Sequence, residues 1–103
     1  MPIIRVFRAT IRPGMNSEFK DFFLNDAVSI VRAVDGCLSV EVGLPFAHPD
    51  DEASREFHMT TIWRDLDAIK RFAGENWQEA YIAPEEAHMI ESAEVHHFDQ
   101  ADV

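Results

Sequence analysis

The sequence is poor in cysteine and in basic residues. Cys37 is the single cysteine among 103 residues, which excludes an internal disulfide. Its position beside Gly36 is typical of a small buried apolar side chain and not of a catalytic thiol. Lysine and arginine number 9 against 19 aspartates and glutamates, a net charge of −10. Such a surface repels phosphate groups, which argues against nucleic acids and anionic membranes as partners.

Long apolar runs are also missing. No stretch approaches the roughly 20 residues of a membrane-spanning helix, and the opening Met-Pro-Ile-Ile-Arg resembles neither a signal nor a transit peptide. We therefore expect a cytoplasmic protein. Hydrophobic residues nevertheless make up 47% of the chain and recur in periodic patterns. The length fits one domain with one core, which we assign to residues 1–103.

Hydrophobic periodicity predicts four strands. Their apolar residues alternate and lie between turn signals. The strands cover about residues 2–11, 38–44, 56–63 and 94–99. With helices between them the order is β-α-β-β-α-β, and right-handed crossovers place both helices on one face of a four-stranded antiparallel sheet. The expected fold class is α+β, with a ferredoxin-like arrangement.

Two main helices are predicted between the strands. Apolar residues at spacings of three and four predict the first over residues 16–34, capped by Asn16 or Ser17. Asp65 is expected to cap the second, over residues 66–73. The chain beyond it is predicted to form shorter helical pieces over 76–82 and 84–89.

The sheet is predicted to be apolar on both faces. Large residues follow one another along the strands and so point to opposite sides, as Trp63 and Ile62 do. Two helices can cover only one face, and the other would leave a larger apolar patch than monomers usually expose. We therefore expect a homodimer in which two sheets pack face to face. The alternative is that residues 76–90 and the loop 45–55 cover the second face.

Five short motifs mark the joints between these elements. They are Arg12-Pro13-Gly14, Asp35-Gly36-Cys37, Trp63-Arg64-Asp65, Phe72-Ala73-Gly74-Glu75-Asn76-Trp77 and Val95-His96-His97-Phe98. In this order and spacing the chain resembles the antibiotic biosynthesis monooxygenase domain family over about residues 3–99. The resemblance implies the dimeric α+β barrel fold, a homodimer, and one pocket per subunit between the sheet and the second-helix region.

The resemblance also implies candidate chemistries. Some members of the family oxygenate anthrones or quinols with O₂ and no cofactor, others degrade haem, and many have no assigned activity. The haem-degrading members use an Asn, a Trp and a His where this chain holds Phe7, Phe72 and Tyr81, which argues against haem. The anthrone-oxidising members keep a Trp that matches Trp63. Their Asn and Tyr correspond to Met59 and Ile69, so the resemblance leaves the anthrone reaction open.

Histidine is the first candidate for the base that cofactor-free oxygenation needs. His58 lies in the middle of a strand and fits a hydrogen-bonded core histidine as well. His96 and His97 are adjacent on the last strand and face opposite sides, so one can enter the pocket, and the sequence leaves open which. They make a poor chelating pair, and no metal site is expected. We take His97 and His58 as candidate catalytic residues, and expect His88 and His48 to be exposed.

The pocket wall is expected to be aromatic. Trp77 and Tyr81 are four residues apart and share a helical face, although such a pair fits a plain core as well. An arginine that points inward from the first strand needs a carboxylate or an anionic ligand, and we favour Arg8 over Arg5 unless it is solvated at the edge. The candidate substrate-binding residues are Trp63, Trp77, Tyr81, Phe7, Arg8 and Phe72.

Three functions remain open. The leading hypothesis is a cofactor-independent monooxygenase for a small aromatic or quinol-type molecule. The alternative is a non-catalytic protein that binds a small ligand in the same fold. A third is a tautomerase that uses Pro2 as an amine base once Met1 is removed, although the strand-one turn and the acidic loops do not look like that family. No sequence feature identifies the substrate or shows whether O₂ is consumed.

Overall fold

The computed structural model describes residues 1–46 and 54–103. Within them lie four strands and two main helices, in the predicted order. The strands are β1 (Ile3–Ile11), β2 (Cys37–Gly43), β3 (Glu56–Trp63) and β4 (Ile90–Asp99). The first helix, α1, has three consecutive pieces, Asn16–Phe22, Phe23–Ala27 and Val28–Arg32, and the second, α2, is Leu66–Ala73. None of the helices in these two ranges is long and apolar enough to cross a membrane.

The four strands form one antiparallel sheet in the order β2-β3-β1-β4. The central strands are β1 and β3, and Arg5 of β1 lies opposite Thr61 on one side and His97 on the other. This order confirms the predicted α+β, ferredoxin-like class. The last strand begins at Ile90, earlier than the predicted residue 94, because Ile90 still pairs with Ile11 after a register shift in β1.

A π turn interrupts α1. The amide of Val28 donates to the carbonyl of Phe23, five residues back, within the π segment Phe23–Ala27. The extra residue moves the buried stripe by one position, so Phe19 and Phe23 are followed by Val28. Ile30, which the regular pattern places inside, is 46% exposed. A 3.6-residue period cannot reveal this insertion, so the predicted stripe includes Ile30 and misses Val28, whereas Val31 is buried as predicted.

The two helices begin differently. The predicted cap of α1 is wrong, because neither Asn16 nor Ser17 caps it, and Asn16 Nδ2 instead donates to the carbonyl of Ser54 at 3.0 Å. The predicted cap of α2 is confirmed, since Asp65 Oδ1 accepts from the amide of Ala68 at 2.9 Å. A cap of this kind stabilises a helix by about 1 kcal/mol.

The chain between α2 and β4 is mostly irregular. The predicted helix over 76–82 is wrong, and of the stretch 84–89 only Ala87–Met89 forms a short 3₁₀ helix. The carbonyls of Trp77 and Glu79 accept hydrogen bonds from the guanidinium of Arg5, at 2.6 and 3.4 Å. These carbonyls thus face a buried cation on β1, a tertiary contact that the local sequence pattern does not include.

Gly36 allows β2 to begin close to α2. Its φ of 100° lies in the region that favours glycine, as predicted for the residue that ends the first helical segment. A side chain at this position would also collide with the Cβ of Ala68. Both the backbone conformation and the close approach therefore require glycine.

The core lies between the sheet and the helices, on what we call the inner face of the sheet. Phe19 stacks on Phe23 and meets Phe57 edge-on, with both pairs of ring centroids 4.9 Å apart. At the other end Trp63 is fully buried and stacks on Phe72 at 5.7 Å. The helices thus bury one aromatic cluster at each end of this face.

The opposite, outer face is apolar only at one end. Its apolar row across three strands is Ile62, Ile4 and Phe98. Towards the other end of the strands, the row of residues on the outer face is polar and consists of His58, Arg8 and Glu94. The prediction of an apolar outer face therefore holds for one end alone. The alternative cover, residues 76–90, contributes side chains to the inner face instead, and part of the loop 45–55 lies outside the described residues.

Candidate active site

A cleft opens between the inner face of the sheet, α1 and the segment that follows α2. The space between its walls is about 530 Å³, including the part open to solvent. Most of the lining side chains are apolar or aromatic. The polar ones are Arg5, Thr61, Tyr81 and Glu86. An apolar cleft with a few converging polar groups is the usual form of a small-molecule site.

Arg5 is the buried cation of this cleft and is only 2% exposed. Its Nη1 donates to the carbonyl of Trp77 at 2.6 Å and lies 2.8 Å from His97 Nε2, while Nη2 lies 3.4 Å from the carbonyl of Glu79. The guanidinium carbon stands 5.7 Å from the ring centroid of Phe72. Burial lowers the pKa of Arg5 to about 10, so the side chain remains positively charged at neutral pH.

His97 holds Arg5 in place. Because a guanidinium only donates, His97 Nε2 accepts, and the neutral ring carries its proton on Nδ1. The ring packs edge-on against Trp77, with centroids 5.0 Å apart. Burial, and then the charges of Arg5 and His96, lower the pKa of His97. The lone pair of His97 Nε2 is engaged by Arg5 in this geometry, and the role of His97 as a catalytic base stays a prediction.

Glu86 is the carboxyl group of the cleft and is 5% exposed. Its Oε2 accepts from the backbone amide of Ala83 at 3.2 Å. Burial raises the pKa of Glu86 to about 7, with the Ala83 amide opposing the shift and Glu85 adding to it. A carboxyl group of this kind exchanges its proton near neutral pH, as a general acid or base must.

Two weak signals in the sequence point to Arg5 and Glu86. Arg5 has the same strand parity as Phe7 and Ile11, and side chains of equal parity share one face of a strand. Glu86 stands three residues after Ala83, with Pro84 between them, and a Glu at that spacing reaches back to the amide of the cap residue. Ala83 has no capping side chain, so the pattern is incomplete in the sequence.

Three of the predicted substrate-binding residues line the cleft: Phe7, Phe72 and Tyr81. Tyr81 is partly exposed and its ring lies 5.3 Å from that of Phe72, which places it at the edge of the cleft. Trp63 and Trp77 are not among the lining residues of the described chain. Trp63 lies behind Phe72 and donates its Nε1 to Thr61, and Trp77 contributes its carbonyl to Arg5.

Arg8 and His58 lie on the outer face, opposite the cleft. Arg8 Nε is 3.1 Å from a carboxylate oxygen of Glu56, in an exposed ion pair. His58 Nδ1 lies 3.2 Å from the hydroxyl of Thr60. The interpretation that Arg8 and His58 enter the pocket is therefore corrected for a single chain. Strand alternation turns both away, since Arg8 follows Arg5 by three residues.

The other described histidines lie apart from one another. His97 faces inward and His96 outward, where it lies 3.4 Å from Glu94. His88 is exposed as predicted, 3.1 Å from Glu18, and His48 lies outside the described residues. Across residues 1–46 and 54–103, no three His, Cys, Asp or Glu side chains come together as a metal site.

Several solved structures share this fold. Rv0793 from Mycobacterium tuberculosis is 18% identical, with a TM-score of 0.73 over 100% of this chain and 98% of its own. PA3566 from Pseudomonas aeruginosa is 17% identical, with a TM-score of 0.73 over 98% and 95%. SnoaB from Streptomyces nogalater, a cofactor-independent oxygenase, is 16% identical, with a TM-score of 0.72 over 99% and 95%. At such identities the likeness shows the fold alone.

The sequence itself identifies the family. No protein of curated function matches the chain. The family model described as antibiotic biosynthesis monooxygenase matches residues 2–84, which include Arg5, Phe72 and Tyr81. Glu86 and β4 lie beyond the matched residues. Because the match spans most of the sequence and the fold agrees with it, the chain belongs to the antibiotic biosynthesis monooxygenase family.

Proposed function

We propose that the protein is a cytoplasmic, cofactor-independent monooxygenase for a small aromatic or quinol-type substrate. One observation carries the proposal: Glu86, with a pKa of about 7, lines the same apolar cleft as the positively charged Arg5. The family and the fold that the chain shares with SnoaB support the reaction class. The aromatic walls formed by Phe7, Phe72 and Tyr81 suit a planar substrate.

Glu86 begins the reaction as the general base. Its carboxylate takes a proton from a phenolic oxygen or from an acidic C–H bond of the substrate, and the electron pair stays on the substrate. The negative charge is shared between a carbon and an oxygen atom of the conjugated system. Arg5 stabilises that charge electrostatically from its fixed position on the cleft wall, where little water screens the interaction.

The deprotonated substrate then reacts with O₂. A C–O bond forms at the electron-rich carbon and gives a peroxide anion, which takes up a proton from Glu86. The O–O bond breaks as the hydrogen remaining on that carbon leaves with the outer oxygen as water, and a C=O bond forms. One oxygen atom enters the product and the other becomes water, with every electron supplied by the substrate.

A non-catalytic binding protein is the alternative, and one contact favours it. Glu86 accepts from the Ala83 amide, so its carboxyl group has a structural role even without a reaction. In that case the cleft would hold its ligand unchanged. The tautomerase hypothesis has less support, because Pro2 is not among the cleft-lining residues of the described chain.

Oxygen uptake with a panel of quinols and anthrones separates the two functions. We expect uptake by the wild-type protein, with one O₂ consumed per quinone formed. Glu86→Gln should lower kcat by about 10²–10⁴-fold, the usual contribution of a general base. Glu94→Gln, which changes an exposed carboxylate on the outer face, should leave kcat unchanged. Ligand binding without any uptake by the wild type would establish the alternative, and full activity in Glu86→Gln would remove Glu86 as the base.

We also propose that two copies form a homodimer through their outer faces. The support is the row of Ile62, Ile4 and Phe98, in which Phe98 is 55% exposed. Covering this row removes apolar surface from water, which favours association.

Sedimentation analysis at micromolar concentration tests this assembly. We expect a wild-type dimer, and a dissociation constant raised at least about tenfold, or 1.4 kcal/mol, in Phe98→Lys. Leu24→Lys provides the control, since Leu24 is also exposed but lies on α1. A monomeric wild type, or equal dissociation of both variants, would contradict the proposed interface.

A further inference from the structure

Arg5 is a buried cation whose partners in the described chain are all uncharged. They are two backbone carbonyls and the neutral ring of His97. The exposed arginines Arg8 and Arg64 pair with carboxylates, those of Glu56 and Asp35. The deeply buried arginine is thus the one that carries the larger desolvation cost without a counterion. A buried cation without a counterion favours an anionic ligand.

The partners of Arg5 do not use all five N–H donors of its guanidinium. Of its five N–H groups, both on Nη1 and one on Nη2 face Trp77, His97 and Glu79. The Nε–H and one Nη2–H have no partner among the described residues. Neither nitrogen is among the fully buried polar atoms without a partner in these residues, and Arg5 lines the cleft. Two such donors on one guanidinium can bind the two oxygens of a carboxylate.

The cleft's own carboxyl group does not neutralise Arg5. A carboxylate paired with a guanidinium has a lowered pKa. The pKa of Glu86 is raised, and its causes are burial, the Ala83 amide and Glu85, without a contribution from Arg5. The two side chains line the same cleft, and no ion pair joins them in the described residues.

We infer that the cleft binds an aromatic carboxylate, with the carboxylate on the unpartnered N–H groups of Arg5 and the ring against Phe7, Phe72 and Tyr81. The inference rests on the proposed function, because it names the substrate class of the same site. The carboxylate binds Arg5, and a separate phenol or C–H group meets Glu86. Arg5 then offsets the carboxylate first, so its stabilisation of the charge formed on the ring is weaker than with a neutral substrate. A phosphate fits less well, since its second negative charge would find no further cation in the cleft lining of a chain with net charge −10.

Calorimetric titration with 2-naphthoate and 2-naphthamide tests the inference. The two probes share one ring system and differ in charge. We expect the wild-type protein to bind 2-naphthoate at least tenfold more tightly. Arg5→Gln should abolish the difference, whereas Arg8→Gln, which changes the outer-face arginine of the same strand, should keep it. Equal affinities in the wild type, or a preference that survives Arg5→Gln, would overturn the inference.

A second variant tests the inference even if Arg5→Gln does not fold. Glu86→Gln removes the competing negative charge from the cleft and should raise the affinity for 2-naphthoate severalfold without changing that for 2-naphthamide. An unchanged or lower affinity for 2-naphthoate in a folded Glu86→Gln protein would contradict the inference, because the anion would then lie elsewhere.

The outcomes separate this inference from the oxygenase proposal. A preference for 2-naphthoate in a protein that consumes no O₂ with any quinol supports the carboxylate site and removes the oxygenase. Oxygen uptake with neutral quinols, together with equal binding of the two naphthyl probes, supports the oxygenase and overturns the carboxylate site.

Discussion

Arg5 and Arg8 stand on the same strand, and their surroundings are opposite. Arg5 points to the inner face, is 2% exposed, and contacts carbonyls and a neutral histidine. The side chain of Arg8 points to the outer face, is 53% exposed, and forms an ion pair with Glu56. Strand alternation alone separates them. The comparison shows that the face a residue occupies, and not its type, decides whether it contributes to the cleft or to the surface.

The adjacent histidines of β4 repeat this contrast. His97 lies inside, where it accepts from Arg5 and packs on Trp77. His96 lies outside and is 3.4 Å from Glu94 in an exposed pair. Neighbouring residues on the two faces therefore provide matched pairs, in which one variant probes the cleft or core and the other serves as its control.

Phe57 and Glu56 should give the largest difference between the faces. Phe57 is fully buried against Phe19 and Phe23, so Phe57→Ala should lower the free energy of unfolding by about 3–5 kcal/mol. Glu56→Ala removes only an exposed ion pair with Arg8, for which about 0–1 kcal/mol is expected. Urea denaturation measures both values. Similar losses for the two variants would mean that the outer face carries more stability than its exposure indicates.

Glu86 should make stability depend on pH. Its folded pKa of about 7 lies above the ordinary value of 4.5, so the native state holds this proton more tightly than the unfolded chain. The stabilisation is complete below pH 4.5 and is lost as the pH rises to about 7. Between pH 5 and 8 the wild type should lose about 2–3 kcal/mol relative to Glu86→Gln. Parallel stability curves for the two proteins would show that the carboxyl group is not perturbed.

His97 should produce a smaller effect of opposite sign. Burial, Arg5 and His96 lower its folded pKa below the ordinary 6.5, so the unfolded chain binds this proton more readily. Stability should fall as the pH drops below 6.5, and His97→Gln should remove that component while its amide oxygen still accepts from Arg5. His96→Gln, on the outer face, should keep the wild-type dependence. The assignment fails if His96→Gln and not His97→Gln removes it.

Much of the fold follows from local patterns. The four strands and the cap at Asp65 are predictable because period-two alternation and a polar residue before an apolar helix are local signals. The π turn at Phe23–Ala27 is not, since one inserted residue leaves no mark in the composition. The irregular segment 76–82, which the sequence pattern predicts as a helix, accepts hydrogen bonds from Arg5 at the carbonyls of Trp77 and Glu79. Arg5 is distant in the sequence, so a local pattern cannot show these contacts.

The site is less predictable than the fold, for a related reason. Phe7, Phe72 and Tyr81 are found because the family resemblance marks these positions as site positions, whatever residue type each one holds. The choice between Arg5 and Arg8 requires knowing which face of the sheet the helices cover, and the sequence does not give that tertiary arrangement. The raised pKa of Glu86 arises from burial, which no spacing in the sequence expresses.

The most direct test of this account is the ¹³C chemical shift of the Glu86 side-chain carboxyl group, followed by NMR in the wild-type protein from pH 4 to pH 9. The account predicts a titration midpoint of about 7, assigned by its loss in Glu86→Gln. A midpoint near the ordinary 4.5 would contradict it, since the cleft would then hold a solvated carboxylate and not a base poised near neutral pH.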